Sequence, residues 1–312
     1  MALLFIVLGL TLLIFGGDWL LKGSVAISTK LNLSRVVIGM TVVSFATSAP
    51  ELIVSVRSAL DGFSDIALGN VIGSNIANLA LVLGVTVCLS SIQIQSSFYK
   101  LDWPIMMISS VLLYVFIFKD HELDSYEGII LFGFLIVFLI YLIKFQKNKT
   151  LEVMEDVETE DISSAKTSIY LILGGVGLWG GSELLINGAV DLASKLGISE
   201  RIIAVTVVSV GTSIPELAAS VIAILKNEKA ISLGNLVGSN IFNILAVLGI
   251  TSLIHPVKVN DLQIVTNDIY WMLFIALLIL LLSLLPKTKH LGLKEGIVLL
   301  ASYISFVVIT LN

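Results

Sequence analysis

Two glutamates, Glu51 and Glu216, each stand inside a long apolar stretch, and each belongs to a polar stripe of its own. Ser44, Thr47, Ser48, Glu51 and Ser55 recur at three- and four-residue spacing, which puts them on one face of an otherwise apolar helix. Ser209, Thr212, Ser213, Glu216 and Ser220 repeat the pattern. Pro50 and Pro215 directly precede the glutamates. A proline has no N–H to donate and crowds the carbonyl four residues back, so a helix is expected to break or kink at each. Carbonyl oxygens released there are potential ligands, and irregular backbone at membrane depth is tolerated where it lines a polar cavity. A second pair of stripes follows: Asn70, Ser74 and Asn78, then Asn235, Ser239 and Asn243. Gly69 with Gly73, and Gly234 with Gly238, supply small surfaces on which helices can approach closely. Asn75 and Asn240 fall on another face and read as packing or hydrogen-bonding residues.

These stripes offer carboxylate, amide, hydroxyl and carbonyl oxygens and nothing softer. His121, His255 and His290 all fall near the ends of apolar runs, and Cys88 is the one cysteine, which excludes an internal disulfide. Oxygen-only ligation favours Ca²⁺, Mg²⁺ or Na⁺ over zinc or copper. Mg²⁺ holds its water shell tightly, whereas Ca²⁺ accepts roughly six to eight flexible oxygens. Two carboxylates neutralise one Ca²⁺ or hold Na⁺ ions instead, and that competition is a physical basis for exchange. A single buried glutamate could simply be protonated and hydrogen-bonded in a helix contact. Two at matching positions, each inside a polar stripe, argue for cation ligands, because an ionised carboxylate in a membrane span is costly unless paired, solvated or cation-bound.

The elements that carry these residues are read from composition. Of 312 residues, 57% are hydrophobic and 13% charged, where soluble domains have roughly a quarter charged. The net charge of −5 and the lack of a basic block argue against nucleic acid as a partner. Apolar runs long enough to cross a bilayer recur along the chain, near 2–22, 34–60, 66–90, 100–118, 125–145, 167–190, 199–225, 230–254, 267–285 and 292–311. The first run has neither a basic leader nor a clear cleavage site and reads as a retained span. Between 1–145 and 167–312, the stretch 146–166 carries Glu152, Glu155, Asp156, Glu158, Glu160 and Asp161 and reads as a solvated acidic linker.

Shifted by 165 residues, Val36–Thr86 lies over Arg201–Thr251 without a gap, with 26 of 51 positions identical. Each half then holds five spans. Five is odd, so the second half starts from the opposite side of the membrane, giving an all-α integral membrane protein of ten transmembrane helices in two inverted five-helix repeats. With the N-terminus outside, thirteen Lys and Arg fall on the inner side and five on the outer. The positive-inside rule therefore puts both termini outside and the acidic linker in the cytoplasm, with the plasma membrane as the expected location. Asp18 and Glu183 also match under the shift and read as interfacial or capping residues.

The paired motifs ATSAPE at 46–51 and GTSIPE at 211–216, with GNVIGSNIAN at 69–78 and GNLVGSNIFN at 234–243, resemble the alpha repeats of sodium/calcium exchangers in the calcium/cation antiporter superfamily. The resemblance extends over nearly the whole chain. It implies a compact four-helix ion-binding core, with the first and sixth helices sliding across it in alternating access. Motif by motif, it puts ion-binding positions at Ser44, Thr47, Ser48, Glu51, Ser74 and Asn78, and at Ser209, Thr212, Ser213, Glu216, Ser239 and Asn243. Ser44, Ser209 and the threonines would act largely through backbone carbonyls. Ala46 stands where the family usually has glycine, and Asn243 where well-studied members commonly have aspartate. Potassium-dependent relatives carry acids at both asparagine positions, so Asn78 and Asn243 argue against potassium cotransport. The expectation is electrogenic exchange of Ca²⁺ for Na⁺, with the lipid bilayer as surroundings, no cofactor and no obligatory protein partner. A proton/calcium exchanger is the alternative. An intramembrane enzyme would need a metal, cysteine or serine–histidine constellation that the sequence does not offer.

Overall fold

The structure, a computed structural model, describes residues 2–145, 163–196, 209–284 and 289–311. Its helices are α1 (Ala2–Leu31), α2 (Arg35–Ile38), α3 (Ser44–Thr47), α4 (Ala49–Leu60), α5 (Ser64–Ile76), α6 (Leu83–Leu89), α7 (Trp103–Asp120), α8 (Ser125–Phe145) and α9 (Ser164–Lys195). They continue with α10 (Ser209–Gly211), α11 (Ile214–Leu225), α12 (Lys229–Phe242), α13 (Gly249–Ile254), α14 (Ile269–Leu284) and α15 (Leu293–Leu311). Among the described residues, eight helices are long and apolar enough to cross a membrane, or nine if Arg35–Thr47 and Ala49–Leu60 count as one broken span. The run expected at 199–225 overlaps residues outside the described ones, and only its later part, α10 and α11, is seen. The acidic residues of the expected linker also lie outside them. Its last three positions, 164–166, form the first turn of α9. That helix and α1 both outrun their apolar cores, because a polar residue ends a hydropathy run without breaking the backbone hydrogen-bond ladder.

Helices α5 and α12 run on through π-helical turns, Ala77–Val82 and Asn243–Leu248, into α6 and α13. These composite spans, Ser64–Leu89 and Lys229–Ile254, are 78% and 83% buried over their apolar windows, against 28% for α1 and 11% for α15. They are the core. Their sequences follow suit, since glycine, serine and asparagine replace the large exposed apolar side chains that stud α1 and α15.

The chain divides into two compact units, Met1–Thr47 with Ile140–Asn235, and Ser48–Leu139 with Leu236–Asn312. Each draws on both sequence repeats, so the repeats are not separate bodies. In the first unit α1 and α9 run antiparallel along a seam of alternating glycine and leucine. A methyl group added at Gly16 would stand 2.7 Å from the amide nitrogen of Leu178, and one at Gly174 would stand 2.5 Å from that of Leu20. Gly9 against Leu185, Gly181 against Leu13 and Gly23 against Leu171 continue the pattern at heptad spacing. Glycine lets the backbones touch, and each facing leucine fills the hollow left beside it. Asp18 on α1 pairs with Lys22 at 2.7 Å and with Lys226, past the end of α11, at 3.4 Å.

In the second unit two short antiparallel ladders close loops, with Ile92–Gln93 on His290–Leu291 and Glu122–Leu123 on Val257–Lys258. The Trp103 ring N–H donates to the Ala276 carbonyl at 2.7 Å and the Tyr99 hydroxyl to that of Ser283 at 3.0 Å, tying α14 to α7 and to the turn before it.

Gly174→Ala must push α1 and α9 apart, at an expected cost of about 1–3 kcal/mol. Gly180→Ala, on the same helix with nothing within 4 Å of the new methyl group among the described residues, should be nearly silent. Melting temperatures of the two variants in detergent check this, and equal values would contradict the seam.

Candidate functional site

Each glutamate follows a matched break in its helix. Ser48 has φ −85° and ψ 3°, and Ser213 has φ −87° and ψ 3°, both in the sparsely allowed bridge region. The 165-residue shift carries α4 onto α11 end for end. The break falls two residues before each proline, so Pro50 and Pro215 sit in the first turn, where a missing N–H costs nothing. Glu51 and Glu216 share that turn and are fully buried. The positive end of a helix dipole favours a carboxylate in this position, which offsets part of the cost of burying it.

In the first unit, Ser44 and Thr47 are fully buried. The Ser44 hydroxyl lies 2.8 Å from the Gly39 carbonyl and 2.9 Å from that of Asn235, so its proton is engaged by carbonyls. The Thr47 hydroxyl donates to the Asn235 side-chain oxygen at 3.2 Å, and the Asn235 nitrogen donates to Ser220 at 3.2 Å. Gly234 makes this possible, since a Cβ there would stand 2.5 Å from the Val36 carbonyl oxygen. The buried Ser213 hydroxyl has no hydrogen-bond partner among the described residues, while Thr212 is half-buried. Ser209 opens α10, and its side chain lies outside what is described.

In the second unit, Asn70 donates to the Glu51 carbonyl at 3.3 Å and to Ser55 at 3.0 Å. Asn70 and Asn235 thus hold the matching serines of the first stripes, which makes them ties between helices. Ser48, Ser74, Ser239, Asn78 and Asn243 are all buried. Neither amide atom of Asn78 has a hydrogen-bond partner among the described residues, nor has the side-chain oxygen of Asn243. The Asn243 nitrogen donates to Asn75 at 3.1 Å, and the Asn75 nitrogen to the Asn240 carbonyl at 3.2 Å. The expectation that Asn75 and Asn240 form hydrogen bonds is met, and Asn75 reaches a candidate ligand, which its place off the stripe did not suggest. Gly69 and Gly73 have nothing within 4 Å of an added Cβ among the described residues.

No group of three or more His, Cys, Asp and Glu able to hold a metal occurs among the described residues. The donors on offer are amide, hydroxyl, carbonyl and carboxylate oxygens, which suit hard cations.

Asn235→Ala removes a hydrogen-bond partner from each of two buried hydroxyls, those of Thr47 and Ser220, whereas Asn70→Ala acts at a half-buried position. Asn235→Ala should therefore cost more stability, about 2–4 kcal/mol, and melt at the lower temperature in detergent. The reverse order would contradict the assigned network.

Comparison with known proteins follows the same lines. A family profile described as sodium/calcium exchanger protein matches residues 1–144 and 166–312. The chain is 38% identical over 311 residues to CaxA of Alkalimonas amylolytica, whose antiporter assignment is itself provisional, with 98% of this chain and 97% of that one covered. It is 31% identical over 346 residues to the sodium/calcium exchanger MaX1 of Methanosarcina acetivorans, covering 98% and 97%. Among solved structures, the sodium-calcium exchanger NCX_Mj superposes with a TM-score of 0.83 at 30% identity, over 98% of both chains.

Proposed function

This chain belongs to the sodium/calcium exchanger family, and from that premise we propose that it exchanges Ca²⁺ for Na⁺ by alternating access, with Glu51 and Glu216 as carboxylate ligands. As a family member it is a multi-pass integral membrane cation antiporter, a transporter rather than an enzyme. The observation that carries the ligand assignment is the pair of fully buried glutamates, each in the first turn after a matched break. Ser44, Thr47, Ser48, Ser74 and Asn78, with Ser209, Thr212, Ser213, Ser239 and Asn243, complete the oxygen donors, several through backbone carbonyls. Ten helices in two inverted repeats, with both termini outside in the plasma membrane, make up the proposed architecture. Its support is the 26-in-51 identity, the antiparallel run of α1 and α9 at equivalent repeat positions, and the distribution of Lys and Arg.

Glu51→Gln or Glu216→Gln should each abolish sodium-driven calcium uptake into proteoliposomes, while the protein stays monodisperse. Near-normal uptake by both variants would sink the ligand assignment.

Charge accounting distinguishes the two couplings. Glu51 and Glu216 together carry −2, which one Ca²⁺ or two Na⁺ would balance, and a third Na⁺ leaves +1. The amide oxygens of Asn78 and Asn243 accommodate a third Na⁺ without a further acid, and they supply no charge for K⁺. The proposed exchange is three-for-one, electrogenic and indifferent to potassium. Moving one charge across the membrane is worth roughly 2.3 kcal/mol per 100 mV, so voltage should shift the sodium gradient at which calcium flux reverses. Reversal measured with potential clamped by potassium and valinomycin checks this. A reversal point that ignores voltage would mean two-for-one exchange, and uptake that requires potassium on the calcium side would end potassium independence.

A further inference from the structure

Position 243 holds an amide, and the structure gives that amide a direction. The Asn240 main-chain carbonyl can only accept, so the end of the Asn75 side chain 3.2 Å from it is the nitrogen, which also lies 3.7 Å from the Met272 sulfur. The Asn75 oxygen then faces Asn243, whose nitrogen must donate to it at 3.1 Å. What remains of the Asn243 side chain is an oxygen, fully buried and without a hydrogen-bond partner among the described residues. The matching pair is built differently. Asn240 turns back to donate to Leu236 on its own helix at 2.7 Å, and Asn78 is left with both amide atoms unpartnered among the described residues.

We propose that Asn75 is a positioning residue that fixes Asn243 as a neutral oxygen ligand and disfavours an acid there, while Asn78 remains free to turn. The proposal rests on the reading of Asn243 as a cation ligand. An ionised aspartate at 243 would set a carboxylate oxygen against the Asn75 oxygen. Turning the Asn75 amide to relieve that contact would set its oxygen against the Asn240 carbonyl instead. Either arrangement opposes two acceptors in a buried site, which is the costly case.

A double-mutant cycle on calcium binding, measured by titration calorimetry on purified protein, tests this. Asn75→Ala should weaken calcium binding about tenfold in the native background and by less than about twofold when Asn243 is already alanine. The counterpart cycle, Asn240→Ala with Asn78→Ala, should be additive. Asn243→Asp should bind calcium more weakly than wild type and recover when Asn75 is also replaced by alanine. Asn75→Ser, which keeps a polar group but cannot reach Asn243, carries the same expectation should the alanine variant not fold. Equal effects of Asn75→Ala in both backgrounds would make its role merely structural and overturn the proposal, as would no effect at all. Sodium-driven calcium uptake by the same preparations separates this from the functional reading. A wild type that binds calcium without exchanging it overturns exchange while the cycle still decides Asn75, and a wild type that binds no calcium overturns both.

Discussion

Holding a carboxylate among apolar helices is the interaction on which the rest of this molecule turns. Charge in a low-dielectric surround must be met by dipoles or counter-ions, and Glu51 and Glu216 sit in the first helical turn, where the backbone dipole favours a carboxylate. That position exists only because each helix stops and restarts at a serine in the bridge region, with proline in the restarting turn. The neighbouring asparagines follow from the same demand. Asn70 and Asn235 bind the serines one turn beyond the glutamates, and so hold the stripes in register. Among the described residues, Ser213, Asn78 and Asn243 are candidate ligands with a buried side-chain atom left without a hydrogen-bond partner.

Much of this was legible in the residues. The two stripes, the breaks and the apolar envelope all follow from local chemistry and from a spacing that the backbone must respect. The position of each break was readable only to within two residues. Proline forbids the preceding hydrogen bond, but whether the ladder gives way at the proline or just before it depends on what the freed carbonyls meet. The ends of α1 and α9 were underestimated for a related reason, since hydropathy measures the solvent and not the helix.

What the sequence concealed was direction and partnership. Asn75 and Asn240 are the same residue at the same repeat position, yet one reaches across to Asn243 and the other folds back on Leu236. Nothing in composition separates them, because the partner an amide takes is decided by what the fold brings beside it. The α1–α9 seam was hidden differently. Gly9, Gly16 and Gly23, and Gly174, Gly181 and Gly188, stand at seven-residue intervals in plain view. A glycine interval becomes a contact only once the facing leucines are known, and those come from the other end of the chain.

That seam also sets what α1 and α9 can do relative to each other. Displacing one along the other by half a heptad, about 5 Å, would bring leucine onto leucine and glycine onto glycine, with clashes and voids alternating down the pair. The next register that fits lies a whole heptad away, roughly 10 Å. The two helices therefore mesh like a rack whose teeth are too coarse for a partial step, and any stroke they make is made together.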